Sequence, residues 1–117
     1  KRNKEIKGSR VLVMGVAYKS DVADTRESPA IDLLELLRDK GADIAYHDSH
    51  VSVLHEDGLD LRSVDLNEQY LQTVDCVVIV TPHSGIDWGF VVEHSDLIVD
   101  TRNATKGLGS PEQIVGL

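Results

Sequence analysis

The stretch Arg10-Val-Leu-Val-Met-Gly-Val-Ala17 decides the fold class of this chain of 117 residues. It is a continuous apolar run that ends near a glycine, and such runs are typical of strands buried on both faces of a parallel sheet. A helix start follows, because Ser28 suits the N-cap and Pro29 suits the first helical position. Residues 31–37 then carry apolar side chains at helical spacing with charged ones opposite, which predicts an amphipathic helix that covers the sheet.

The rest of the chain repeats this alternation of strands and helices. Further strands are predicted at residues 42–48, 59–61, 76–81 and 97–100. Further helices are predicted at residues 67–74 and 88–94. The pattern predicts the α/β class, with a Rossmann-like parallel sheet of about five strands, right-handed crossovers and helices on both faces. Numbered along the chain, the strands are expected in the order 3-2-1-4-5 if residues 59–61 pair. The glycine-rich tail from Gly107 is expected to be irregular.

Composition restricts the partners that this chain can have. The formal net charge of −8 leaves no basic face for a phosphate backbone, so we expect no nucleic-acid binding. No apolar run approaches the roughly 20 residues that span a bilayer, and no signal peptide is recognisable, so no membrane partner is expected. The single cysteine, Cys76, cannot form an internal disulfide, which favours a cytoplasmic location.

The first residues suggest how the chain is organised into domains. Residues 1–9 are basic and polar, and the chain begins at Lys1 rather than at Met. We therefore expect residues 1–9 to be the end of a linker from missing upstream domains, followed by one ligand-binding domain over residues 10–117. The alternative is a small processed protein.

In a parallel α/β sheet, ligands bind beyond the carboxyl ends of the strands, near the point where the strand order reverses. The loops expected to carry the function are therefore residues 15–28, 81–87 and 100–107. The first loop has only Gly15 where a dinucleotide fold requires G-x-G-x-x-G, which argues against NAD binding on this domain.

Cations in these loops favour an anionic ligand. Lys19 follows the first strand, and Arg26 lies just before a helix N-terminus, where free N–H groups already attract anions. Arg26 could instead shape the loop by pairing with an acid nearby, namely Asp21, Asp24 or Glu27. Arg102 follows the last predicted strand, so cations from different loops are expected at one edge of the sheet. This arrangement predicts a phosphate or diphosphate ligand.

The other reactive side chains are expected to be structural. His47, Asp48 and His50 have the composition of a metal site, but Asp48 can simply cap the turn that follows its strand, so no metal ligand is expected. His83 could contact a ligand or transfer a proton, although a role in loop structure is favoured. Cys76 begins a buried strand and is expected to be a core residue.

The sequence GVAYKSDVADTRESPA at residues 15–30 resembles the UDP-glucose/GDP-mannose dehydrogenase family, in its C-terminal domain. The helix that follows, Tyr46-His47-Asp48 and the later strands extend the resemblance over roughly residues 8–106. It is strongest to the bacterial UDP-N-acetylhexosamine 6-dehydrogenases. One departure is Asp48-Ser49, where many relatives have Asp-Pro, and this should alter only a turn.

The resemblance implies a substrate-binding domain of an NAD-dependent enzyme that oxidises the C6 alcohol of a UDP-sugar to a carboxylate. It also implies that the catalytic cysteine, the NAD-binding N-terminal domain and the central helix of a homodimer lie upstream. The chain alone should then be inactive, with no catalytic residue and no cofactor site of its own. Tyr18, Lys19 and Arg102 correspond to ligand contacts of the family, whereas Arg26 and Ser28 belong to its signature with a more structural role.

Two other classes of function stay open at the level of sequence. One is a free-standing α/β ligand-binding or regulatory module of flavodoxin-like or CoA-binding type. The other is a complete small dehydrogenase, against which the lone Gly15 and the lack of an acid–base pair argue.

Overall fold

A computed structural model describes residues 6–56 and 58–116. Its elements are, in chain order, β1 (Arg10–Met14), α1 (Pro29–Asp39), β2 (Asp43–His47), β3 (Val53–Glu56), β4 (Leu59–Arg62), α2 (Glu68–Gln72), β5 (Cys76–Ile79), α3 (Trp88–His94), β6 (Ile98–Asp100) and β7 (Ile114–Gly116). Five strands form one sheet in the order β2-β1-β5-β6-β7, and every pair in it is parallel. The predicted α/β class and five-stranded parallel sheet are confirmed.

The two ends of the sheet show how the predicted strand order relates to the observed one. The predicted neighbours 2-1-4-5 are observed as β2-β1-β5-β6 once the strands are renumbered. Leu59–Arg62 pairs with Val53–Glu56 in a separate antiparallel hairpin, and a parallel bridge from Tyr46 to Ser63 joins this hairpin region to β2. The fifth strand of the sheet is β7, at the opposite edge.

The prediction of an irregular tail was wrong, because Ile114–Gly116 pairs with β6. The Ile114 side chain packs against a buried cluster under the sheet, and this contact fixes a strand that is too short to give a local signal.

Helices cover both faces of the sheet, as predicted. On β1, Val13 points to one face and Leu12 and Met14 to the other, as the two-residue period of a strand requires. The Val13 face packs against α1 and the hairpin, whereas the opposite face packs against α2 and α3. The predicted start of α1 is also confirmed, since the Ser28 side chain accepts the Ala30 N–H at 3.2 Å and Pro29 is the first helical residue.

The predicted linker is described only in part. Residues 1–5 lie outside the described residues. Gly8 N–H donates to Gly41 O at 2.9 Å, and Ser9 O accepts the Asp43 N–H at 2.8 Å. Gly8 and Ser9 therefore lie alongside residues 41–43, where the chain enters β2. Within the described part of the chain, no helix is long and apolar enough to cross a membrane.

Candidate functional site

The loops after β1 and β5 are in direct contact at the carboxyl edge of the sheet. Gly15 has a φ of +90°, and a methyl group added to it would clash with the Thr81 carbonyl oxygen. Thr81 Oγ1 donates to Ala17 O at 2.7 Å, which joins the same two loops a second time. Glycine is therefore required by backbone conformation and by the close approach of the next loop.

Asp48, directly after β2, joins the chain segments around it from a fully buried position. Its Oδ2 accepts the N–H groups of Val16 at 2.8 Å and Ala17 at 3.1 Å, and it lies 2.8 Å from His83 Nε2. Its Oδ1 accepts the His50 N–H at 2.8 Å. The last bond confirms the expectation that Asp48 caps its turn, and the bonds from Val16 and Ala17 hold the start of the β1–α1 loop.

Asp21 connects the β1–α1 loop to residues 82–84. Its N–H donates to His83 Nδ1 at 2.7 Å, and its carboxylate accepts the Ser84 N–H and hydroxyl at 2.7 and 2.6 Å. Ser20 Oγ donates to Pro82 O at 2.9 Å beside these contacts. The hydrogen bonds from Ser84 lower the pKa of Asp21. Asp21 is thereby kept as an anion that fixes the loop.

Tyr18 and Lys19 lie between the residues bound by Asp48, Val16 and Ala17, and Asp21, which is bound to residues 83–84. Tyr18 is 53% exposed and its N–H donates to Asp24 O, while Lys19 is exposed beside it. Tyr18 lines a surface depression of about 320 Å³ together with Asp24, Arg26 and Glu27. The predicted aromatic–lysine pair is therefore presented to solvent at the carboxyl edge.

Arg26 pairs with Asp24, which is one of the loop-shaping partners that the sequence allowed. Its Nε lies 3.0 Å from Asp24 Oδ1 and its Nη2 lies 2.8 Å from Asp24 Oδ2. The side-chain hydrogen bonds from Arg26 lower the pKa of Asp24 to about 2. The Arg26 side chain is nevertheless 85% exposed, so it can also face a ligand in the depression.

Arg102 reaches the same edge from the loop after β6. It is exposed, and its Nη1 donates to Val80 O at 3.2 Å, directly after β5. Because β5 lies between β1 and β6, the loops that carry Lys19 and Arg102 flank the end of one strand. Two strand spacings, roughly 10 Å, separate the carboxyl ends of β1 and β6. Both cations are on segments that contact residues 80–84.

Asp100 holds the turn from which Arg102 projects. It is buried, and its carboxylate accepts the N–H groups of Arg102, Ala104 and Thr105 and the Thr105 hydroxyl, at 2.6 to 3.1 Å. Burial by itself would raise the pKa of Asp100, but the hydrogen bonds from Thr105, Ala104 and Arg102 outweigh it and lower the pKa.

Asp100→Asn is expected to lower the free energy of unfolding at pH 7 by about 1–3 kcal/mol, because an amide nitrogen would face N–H donors. Since the folded-state pKa lies below the unfolded value of about 4, the carboxylate stabilises the fold above that pH. This stabilisation is lost as the pH falls through the folded-state pKa. Urea unfolding should therefore show a deficit that shrinks from pH 7 towards pH 2. The exposed control Asp39→Asn should show little deficit, and a deficit for Asp100→Asn that is independent of pH would contradict the argument.

A group of possible metal ligands is found, although not the one that the sequence suggested. His47 Nδ1 contacts Val64 O and Asp48 binds amides, so the histidine-rich segment does not converge. Ligand atoms of Asp21, His50 and His83 lie within 4.8 Å of one another instead. The Nδ1 lone pair of His83 already accepts the Asp21 N–H, so this group is arranged as a hydrogen-bond network.

The residues at this edge do not fit a dinucleotide. In dinucleotide folds an acid after the second strand binds the ribose hydroxyls. Asp48 has that position here, but it is buried and bound to protein donors. Gly15 is also the only glycine of the turn after β1. The absence of an NAD site on this domain stays a prediction.

A parallel α/β sheet whose carboxyl-edge loops present exposed cations beside β5 defines a Rossmann-like ligand-binding domain. The chain belongs to the UDP-glucose/GDP-mannose dehydrogenase family, since the family model described as its UDP binding domain matches residues 12–107. The predicted family is confirmed.

Relatives and solved structures agree with this assignment. The chain is 31% identical over 111 residues to the UDP-N-acetyl-D-mannosamine dehydrogenase of Methanococcus vannielii, covering 87% of this chain and 24% of that protein. It is 29% identical over 115 residues to the UDP-glucose 6-dehydrogenase of Rickettsia bellii, covering 89% and 26%. The structure of the UDP-D-ManNAc dehydrogenase from Pyrococcus horikoshii matches with a TM-score of 0.75 at 25% identity, covering 97% and 26%. The chain therefore spans about a quarter of the length of these relatives.

The sequence analysis did not predict that Asp48 and His83 pair with each other and hold the β1–α1 loop. It identified a turn cap and a loop histidine, and the burial of His83 supports the second interpretation. The available signal was their position, because both follow strands that neighbour β1. When an acid follows one neighbour of a central strand and a histidine follows the other neighbour, the two side chains are candidates for a pair beneath the loop that follows the central strand.

Proposed function

We propose that this chain is the UDP-sugar-binding domain of an NAD-dependent nucleotide-sugar 6-dehydrogenase. In this proposal, Lys19 and Arg102 bind the diphosphate from two sides of the end of β5. Tyr18 and Arg26 border the same ligand at the depression. The observation that carries the proposal is that two exposed cations in an acidic chain lie on loops flanking one strand at the carboxyl edge.

The division of labour follows from the residues present. A diphosphate held by this domain would direct the sugar C6 towards groups on other domains, so binding energy from the nucleotide would serve orientation at the reacting carbon. The nucleophilic cysteine and NAD are proposed to belong to domains outside this chain. Under this proposal the chain by itself produces no NADH from a UDP-sugar. A homodimer and a cytoplasmic location of the whole enzyme stay predictions.

UDP titrated into the chain should shift the backbone amide resonances of residues 16–21 and 101–103. Lys19→Ala and Arg102→Ala should each weaken UDP binding about tenfold to a hundredfold, since a charge-assisted hydrogen bond contributes about 1.5–3 kcal/mol. Calorimetry or the amide shifts would give the Kd. Lys40→Ala is the matched control, because Lys40 is an exposed lysine at the other end of α1.

Two outcomes of this titration would overturn the proposal that Lys19 and Arg102 bind the diphosphate. UDP binding that is unaffected by both Lys19→Ala and Arg102→Ala would remove the two cations from the site. Saturating shifts confined to α2 and α3 would place the ligand elsewhere.

For Arg26→Ala, a lower stability with an unchanged Kd would show that this residue only shapes the loop, whereas a higher Kd would show a ligand contact.

A further inference from the structure

His83 is an almost completely buried side chain between two segments of the chain. Its Nδ1 lies 2.7 Å from the Asp21 backbone nitrogen, and its Nε2 lies 2.8 Å from Asp48 Oδ2. These two partners belong to different loops, one after β1 and one after β2. The imidazole therefore spans the space beneath the β1–α1 loop.

The two partners determine which tautomer His83 adopts. A backbone N–H can only donate, so Nδ1 must accept and carries no proton. Asp48 already accepts the N–H groups of Val16 and Ala17, as an ionised carboxylate does, so Nε2 must donate to it. The arrangement therefore requires a neutral imidazole protonated at Nε2. Every polar atom of the ring then has a partner of the correct kind.

These contacts fix both ends of one short segment. At its start, Val16 and Ala17 donate to Asp48. At its end, Asp21 donates to His83 and adopts a φ of +64°, a conformation that is unfavourable for a residue with a side chain. Because His83 and Asp48 are themselves paired, one buried unit sets the positions of both ends. Tyr18 and Lys19 lie between them.

We propose that His83 is a positioning residue of the nucleotide-sugar site: as a neutral, Nε2-protonated imidazole held by Asp48, it fixes Asp21 and thereby the placement of Tyr18 and Lys19. The inference rests on the proposed function in its claim about the ligand. Its claim about the loop stands on the hydrogen bonds alone. The role is to hold the lysine where the diphosphate arrives, so that ligand binding does not have to order the loop.

Two substitutions separate the two bonds of His83. His83→Gln places an amide near the position of Nε2, so it can still donate to Asp48 but leaves Asp21 without an acceptor. His83→Asn places its oxygen near the position of Nδ1, so it can accept from Asp21 but no longer reaches Asp48. In His83→Gln, the Asp21 amide should exchange its hydrogen about tenfold faster or more, and the Kd for UDP should rise about tenfold. His83→Asn should be less stable but should keep that protection and a Kd within about threefold of the wild type.

The readouts distinguish positioning from a merely structural role. In the unsubstituted chain, nitrogen-15 resonances should show a protonated Nε2 and an unprotonated Nδ1; the opposite tautomer would overturn the proposal. Unfolding losses in both variants, with the Asp21 exchange rate and the UDP Kd unchanged, would also overturn it. If UDP does not bind the unsubstituted chain, the proposed function fails in that test. The ring nitrogens and the Asp21 amide then still decide whether His83 holds the loop.

Discussion

Gly15→Ala is expected to lower the free energy of unfolding by about 2–5 kcal/mol. A left-handed backbone conformation costs a residue with a Cβ about 1–2 kcal/mol, and overpacking of a rigid contact costs about 1–3 kcal/mol more. Both apply here, because Gly15 has a φ of +90° and the new methyl group would clash with the Thr81 carbonyl oxygen. Backbone on both sides of the contact leaves no flexible side chain that could move away.

Urea unfolding of a matched pair would test this prediction. Gly85 has a nearly equal φ of +88°, but a methyl group there would meet nothing within 4 Å. Gly85→Ala should therefore show only the conformational cost, about 1–2 kcal/mol. Equal losses for the two variants would show that the approach of Thr81 to Gly15 is not a rigid contact. A larger loss for Gly15→Ala is expected, with a corresponding disturbance of the Thr81–Ala17 hydrogen bond.

Asp48→Ala is expected to destabilise the chain by about 3–5 kcal/mol, because it leaves buried donors without an acceptor. The donors are the N–H groups of Val16, Ala17 and His50 and the Nε2 of His83. The loss should appear in urea unfolding and in faster exchange of the Val16 and Ala17 amides.

An exposed carboxylate provides the control for Asp48→Ala. The Asp60 side chain is 82% exposed and pairs only with the exposed side chain of His55 among the described residues. Asp60→Ala should change the free energy of unfolding by less than about 1 kcal/mol, as surface pairs contribute little. A similarly small effect of Asp48→Ala would show that solvent reaches the space beneath the β1–α1 loop.

Much of the fold could be predicted because its signals are local. The apolar run of β1 and the Ser28-Pro29 helix start each depend on neighbours in the sequence, and both predictions are confirmed. The short strand Ile114–Gly116 was missed because its pairing depends on β6 and on a contact of Ile114 with a buried cluster. An edge strand of three residues has little periodicity of its own.

The candidate site divides in the same way. The order of strands and loops was enough to place Tyr18, Lys19 and Arg102 at the carboxyl edge, because parallel strands end on the same side. Their contact with a ligand stays a prediction. The alternative roles of Arg26 could not be separated from spacing, and the structure shows its pair with Asp24 while leaving the side chain exposed.

The sequence by itself determined the alternation of strands and helices, the acidic charge and the cations of the loops, since these follow from composition and local periodicity. Only the tertiary structure decided what holds those loops in place. Asp48 and His83 are 35 residues apart in sequence, yet their side chains meet because β2, β1 and β5 are neighbours in the sheet. Burial then turns a turn cap and a loop histidine into one hydrogen-bonded unit, because a buried polar group must find a partner wherever the fold provides one.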